Sequence, residues 1–208
     1  MINQDLTVAV LAGGNSARFK SEKSFAEFQG RPLISHMIDV AKNLSSEVVI
    51  VVSGEEKREI LEGLAKEIRI VADPEDSIRC ALTGAITAFE YTETEYTLLL
   101  PVDTPLANVS LLKTLYHLRK NHGAVVPSWP SGYIEPLHSV YLAEHAYLEG
   151  IETVNEDKYR MKDLLDRLRN VLYISTLVLS EFDPKLDTFS NANTEKELRA
   201  LEKSIKLS

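Results

Sequence analysis

The segment Leu11-Ala12-Gly13-Gly14-Asn15-Ser16-Ala17-Arg18-Phe19 leaves a short apolar run, and Lys23 follows four residues later. Glycines let a backbone come close to a ligand and turn its N–H groups toward phosphate oxygens. Arg18 and Lys23, with Lys20 nearby, put positive charge where a triphosphate needs it. The spacing is neither the GxxxxGKS/T of a P-loop nor the GxGxxG of a dinucleotide site. A second chemical position is Asp103, which stands just past the apolar run Leu98-Leu99-Leu100, between Pro101 and Pro105. Proline fixes its own φ and restricts the residue before it, so this segment is stiff. A magnesium ion that bridges phosphates takes only one or two protein carboxylates and keeps several waters, so Asp103 suffices to anchor one. Asp73 is a third acidic candidate. Its carboxylate can accept from both the N1–H and the amino group of guanine, a pair that adenine and cytosine do not present in that form. Plainer roles stay open for each: a tight turn at Gly13-Gly14, a helix cap at Asp103, a turn at Asp73-Pro74.

These residues need a scaffold that delivers them to one place. Apolar runs at residues 6–11, 48–52, 68–71, 97–100 and 124–127 read as buried strands, ending at Gly13-Gly14 and Pro101 in the first and fourth cases. Amphipathic stretches read as helices: 33–44 after Pro32, 55–66, 78–89, 111–118, 161–168 and 194–205. Thr194 is a candidate N-cap for the last, with Glu195 and Glu197 in its first turn. The alternation implies βαβ units and a mainly parallel sheet, with ligands expected outside the carboxyl ends of the strands. Residues 131–141, with Gly132 and Pro136, suggest an antiparallel excursion, and 171–178 reads as a further strand. No repeat or linker divides the chain, which is expected to form one domain over 1–208.

A net charge of −8 argues against a broad basic face for nucleic acid. Cys80 is the only cysteine, so no intramolecular disulfide or cysteine-rich metal site can form. The five histidines lack metal-ligand spacing, and His138 reads as a structural histidine. No apolar run approaches the ~20 residues of a membrane span. Residues 1–6 lack the basic and apolar segments of a signal peptide, so the cytoplasm is the expected location.

Several ordered motifs resemble the nucleotidyltransferases related to molybdenum cofactor guanylyltransferase. The glycine loop is similar to that family's LAGGxSxRxG…K signature, with Lys20 where the family often has Gly; Pro101-Val102-Asp103-Thr104-Pro105 is similar to its (P/C)xDxP segment. Asp73 lies eleven residues before Gly84, as in the family's PGPLAG-like stretch, of which Leu82 and Gly84 persist. Phe189-Ser190-Asn191-Ala192-Asn193-Thr194 resembles FxNxNTPEDL, with Lys196 in place of Pro. The resemblance implies a three-layer Rossmann-like α/β nucleotidyltransferase fold, with a nucleotide-binding half over about 1–107 and an acceptor half over about 108–208. It implies GMP transfer from GTP to the phosphate of a molybdopterin-type pterin, with Mg²⁺ on Asp103 and pyrophosphate as the leaving group. Leu11, Ala12, Gly13, Gly14 and Arg18 would hold the triphosphate, Lys23 would stabilise charge on the α-phosphate, and Asp73 would read the base. Pro136, Arg160, Asn191 and Asn193 would meet the acceptor. Transient contact with proteins that supply or accept the cofactor is implied too, but no nucleic acid and no membrane. Two alternatives stay open: a cytidylyltransferase or other nucleotidyltransferase with a different phosphorylated acceptor, and a nucleotide-binding regulator without turnover.

Overall fold

The computed structural model describes residues 3–13, 23–63, 65 and 67–206. Gly14, Arg18 and Lys20, three expected contributors to the phosphate site, lie outside the described residues.

The strands are β1 (Asn3–Leu11), β2 (Glu27–Phe28), β3 (Arg31–Pro32), β4 (Ser45–Val52), β5 (Arg69–Ala72), β6 (Tyr96–Pro101), β7 (Ala124–Ser128), β8 (Val140–Leu142) and β9 (Val171–Ser175). Seven of them form one sheet in the order β5-β4-β1-β6-β8-β7-β9. β1 pairs in parallel with β4 and β6, and β4 with β5. β8 runs antiparallel to both β6 and β7, while β7 and β9 are parallel. The antiparallel excursion expected after residue 131 is therefore the single strand β8, inserted between two parallel groups.

The helices are α1 (Leu33–Lys42), α2 (Glu55–Glu62), α3 (Ala81–Glu90), α4 (Val109–His117), α5 (Ala143–Asn155), α6 (Met161–Leu165), α7 (Thr176–Leu179) and α8 (Glu195–Lys206). Successive strand side chains face opposite ways, so the continuous apolar runs feed two cores. Val8, Val10, Ile50, Leu98 and Leu100 pack with residues of α1, α4 and α8 on one face. Ala9, Val49, Val51 and Leu99 pack with residues of α3, α5 and α6 on the other. The result is a three-layer α/β fold of Rossmann-like type, as the alternation of runs predicts.

Four local features depart from the sequence reading. The helix expected from residue 78 begins at Ala81, with Cys80 extended before it. The strand expected over 171–178 stops at Ser175, whose hydroxyl accepts from the Leu177 amide and starts α7. Helix α5 went unforeseen because its buried stripe is made of Ala143, Ala146, Gly150 and Thr153, small residues that give little hydrophobic signal. The β2–β3 hairpin was missed as well; its turn residues Gln29 and Gly30 both have positive φ, the conformation primed hairpin turns require.

Candidate active site

Four parallel strands end on the same side of the sheet, and the residue types that could do chemistry follow their last positions. After β1 come Ala12 and Gly13, after β4 Ser53, after β5 Asp73, and after β6 Val102 and Asp103. The strand ladders continue briefly into these turns. The Ala12 amide donates to the Val51 carbonyl at 2.7 Å, Asp73 to Val52 at 2.8 Å, and Val102 to Leu11 at 3.1 Å. The turns are thereby held in register with one another. They surround a cavity of about 480 Å³ that is also lined by Lys23, Lys57, Arg79, Cys80, Gly84 and Leu137.

Gly13 is required by close approach. A Cβ there would stand 3.2 Å from the Ser53 amide nitrogen and 3.5 Å from Asp73 Oδ2. A side chain would crowd the Ser53 amide, which would have to give by a few tenths of an ångström, and would just touch Asp73.

Two polar clusters stand in the cavity wall. In the first, Lys23 Nζ lies 2.5 Å from Asp103 Oδ2 and donates to Asn193 Oδ1 at 2.8 Å. Lys23 opens a short helical turn, Lys23–Phe25, anchored by buried Ser24. Asn193 arrives from the far end of the chain: the Ala192 amide donates to the Asp103 carbonyl at 2.9 Å, and the Asn193 amide to Glu197 Oε2 at 2.6 Å. In α8, Thr194 Oγ1 accepts from the Glu197 amide at 3.2 Å, the cap its sequence suggests. In the second cluster, Asp73 accepts from Thr87 Oγ1 at 2.8 Å. Burial pushes the Asp73 carboxyl up, against the Thr87 hydrogen bond and the charges of Arg79 and Lys57. Lys57 in turn donates to Ser53 Oγ at 2.9 Å.

Lys23, Lys57 and Arg79 thus concentrate positive charge in a chain of net charge −8. The arrangement suits a polyanion lying along the turns, with a hydrogen-bonding group near Asp73. For a cation, Asp103 offers one hard carboxylate, and among the described residues its Oδ1 receives no hydrogen bond. Nor, among those residues, do three His, Cys, Asp or Glu side chains gather as a metal cage. One carboxylate fits Mg²⁺ that takes its remaining ligands from phosphate and water.

The expected acceptor residues separate. Asn193 joins Lys23. Pro136 is half-buried, its carbonyl accepts from the Tyr141 hydroxyl at 2.7 Å, and its neighbour Leu137 lines the cavity. Asn191 is exposed. Arg160 is turned onto Asp163 of its own helix at 2.6 Å and does not line the cavity. Conversely, the sequence reading passed over Ser53, Lys57 and Arg79. Ser53 carried a usable signal, since it follows a parallel strand directly, as Asp73 does.

Comparison with known proteins gives this geometry its relatives. The family model described as a MobA-like NTP transferase domain matches residues 8–171. The chain belongs to this family. Among its relatives, a probable molybdenum cofactor guanylyltransferase of Pyrococcus horikoshii is 33% identical over 202 residues, covering 94% of this chain and 98% of that protein. A molybdenum cofactor guanylyltransferase of Desulfosudis oleivorans is 32% identical over 204 residues, covering 97% and 96%. The crystal structure of molybdopterin-guanine dinucleotide biosynthesis protein A from Archaeoglobus fulgidus superposes with a TM-score of 0.83 at 25% identity, covering 97% of this chain and 100% of that one. The sheet described above is thus the MobA-like nucleotidyltransferase fold, and the cavity lies where its parallel strands end.

Proposed function

We propose that this chain transfers GMP from GTP to the phosphate of a molybdopterin-type cofactor, forming the guanine dinucleotide cofactor and releasing pyrophosphate in a Mg²⁺-dependent reaction. The observation that carries this reading is the Lys23–Asp103 pair, bonded to Asn193 through Lys23 and set in the same cavity wall as the buried carboxylate of Asp73. Similarity to proteins named molybdenum cofactor guanylyltransferase supports the choice of substrates.

In this reading Leu11, Ala12, Gly13 and Gly14, with Arg18, hold the triphosphate, and Asp73 accepts from the N1–H and amino group of guanine. The charges of Arg79 and Lys57 oppose the rise that burial gives that carboxyl. Lys23 and Asp103 neutralise one another across 2.5 Å; a triphosphate and its cation offer each a new partner of the right sign. Lys23 then faces the charge that gathers on the α-phosphate. Magnesium held by Asp103 would supply charge neutralisation and polarisation of that phosphate. The attacking group is a phosphate oxygen that is already ionised, so the protein needs no general base; its work is alignment and charge stabilisation. Asn193 is suited to orient Lys23 or to meet the acceptor phosphate, with Pro136, Asn191 and Arg160 on the acceptor side. Residues up to about 107 would serve the nucleotide and the rest the acceptor. The proposed location is the cytoplasm, in keeping with a single cysteine; among the described residues no helix is long and apolar enough to cross a membrane.

Pyrophosphate release should be followed with GTP, CTP, ATP and UTP, with and without metal-loaded pterin monophosphate. Release with GTP alone, dependent on the pterin and abolished by chelating Mg²⁺, is expected. Release with CTP instead would overturn the base assignment, and binding without release from any nucleotide would overturn the catalytic reading.

A further inference from the structure

Beneath the Asp103 turn lies a buried set of polar side chains with no part in the transfer as proposed. His138 is 4% exposed, and Thr104, next to Asp103, is fully buried. His138 Nε2 stands 3.3 Å from Thr104 Oγ1, and that hydroxyl donates to the Pro101 carbonyl at 3.1 Å. A threonine hydroxyl has one hydrogen. With that hydrogen spent on Pro101, the contact is a hydrogen bond only when Nε2 carries a proton and donates it. A neutral imidazole protonated at Nε2 has a bare lone pair at Nδ1. Nδ1 is indeed buried and without a hydrogen-bond partner among the described residues, with Glu135 Oε2 at 3.8 Å. Burial holds the ring neutral, its pKa pushed down to about 3. The other Glu135 oxygen accepts from the Trp129 indole at 2.8 Å. The orphaned Nδ1 and the donating Nε2 are two ends of one tautomer.

His138 also reaches the opposite segment of the site. Its ring meets Phe189 edge to face, centroids 5.3 Å apart and planes at 90°. Phe189 lies four residues before Asn193, which accepts from Lys23. One side chain therefore touches residues of two of the three segments that carry the Lys23–Asp103–Asn193 cluster, those of Asp103 and Asn193. We infer that His138, donating from Nε2 to Thr104 and packed on Phe189, is the positioning residue that fixes Asp103 and Asn193 relative to Lys23. The inference rests on the proposed reading of Asp103 as the cation anchor.

The test uses the full chain. ¹⁵N NMR of histidine-labelled protein, with the His138 signals assigned by their loss in His138→Gln, should give a pyrrole-like Nε2 and a pyridine-like Nδ1 at neutral pH. In pyrophosphate release, His138→Gln places an amide N–H where Nε2–H stood and should retain most of the turnover, as should Thr104→Ser. His138→Leu and Thr104→Val should each lower kcat roughly 10- to 100-fold, with a much smaller change in KM for GTP. The double variant should be no worse than either single one, since both break the same link. A tautomer protonated at Nδ1, or folded His138→Leu and Thr104→Val proteins with the parental kcat, would overturn the inference. If His138→Leu does not fold, Thr104→Val and the tautomer decide. If the parent protein itself releases no pyrophosphate, the transferase reading fails, and the tautomer alone decides whether the His138–Thr104 link exists.

Discussion

The surroundings of Asp73 set the pH range over which its proposed reading of the base can operate. Asp73 is 9% exposed, and burial raises its carboxyl above the usual carboxylate range while Thr87, Arg79 and Lys57 pull it back. Only the ionised form accepts from both guanine donors. As pH falls, Asp73 is therefore protonated sooner than an exposed aspartate, and KM for GTP should begin to rise above the ordinary carboxylate range while kcat changes less. Asp73→Asn removes that titration and one of the two acceptors, and should raise KM for GTP about tenfold or more, given the worth of hydrogen bonds to a charged group. Profiles of kcat/KM against pH for parent and variant check this; identical acid limbs would assign the titration to another group. Asp73 and Asp103 were legible because they stand close to proline just past apolar runs, and Lys23 because it follows the glycine loop in a motif that resembles the family's. Lys57 and Arg79 were not, because a cation on a charged helix or before an apolar one looks like solvated surface until the fold turns it inward.

At the scale of elements, strands were easier to read than the contacts between helices. Continuous runs such as Val48–Val52 declare burial on two faces, whereas α5 is packed through small residues and leaves Leu148 57% exposed. Its Gly150 sits so close to α3 that a Cβ would stand 2.8 Å from Ile86 Cγ1. Gly150→Val should destabilise the fold by about 1–3 kcal/mol through overpacking. Adding Ile86→Ala should recover part of the loss, because the two substitutions share one contact. Urea denaturation of the three proteins measures both effects. Equal destabilisation with and without the Ile86 change would mean that the glycine is needed for some other reason. The late start of α3 places Arg79 and Cys80 outside the helix before Ala81, where they line the cavity instead of adding a turn of helix.

At the scale of the whole molecule, sheet order does what local sequence cannot. The order β5-β4-β1-β6 brings positions 13, 53, 73 and 103 to one rim, although they are scattered along half the chain. The final segment then returns Asn193 to Lys23, a contact spanning 170 positions. Fold class and parallel arrangement could be read from periodicity, and the motif order pointed to the site. The pairing of Lys23 with Asp103 belongs to tertiary packing that no spacing rule contains, whereas the turning of Arg160 onto Asp163 is a local contact three residues apart at the start of α6. In the proposed mechanism Lys23 and Asp103 work on the transferred phosphate rather than merely gripping nucleotide. The most direct measurement compares kcat for pyrophosphate release with the dissociation constant for GTP in the parent, Lys23→Ala and Asp103→Ala. In each variant kcat should fall by roughly two orders of magnitude or more, as for removal of groups that stabilise transition-state charge, with a far smaller change in GTP binding. Parallel losses in binding and turnover, or turnover that survives either substitution, would contradict that mechanism.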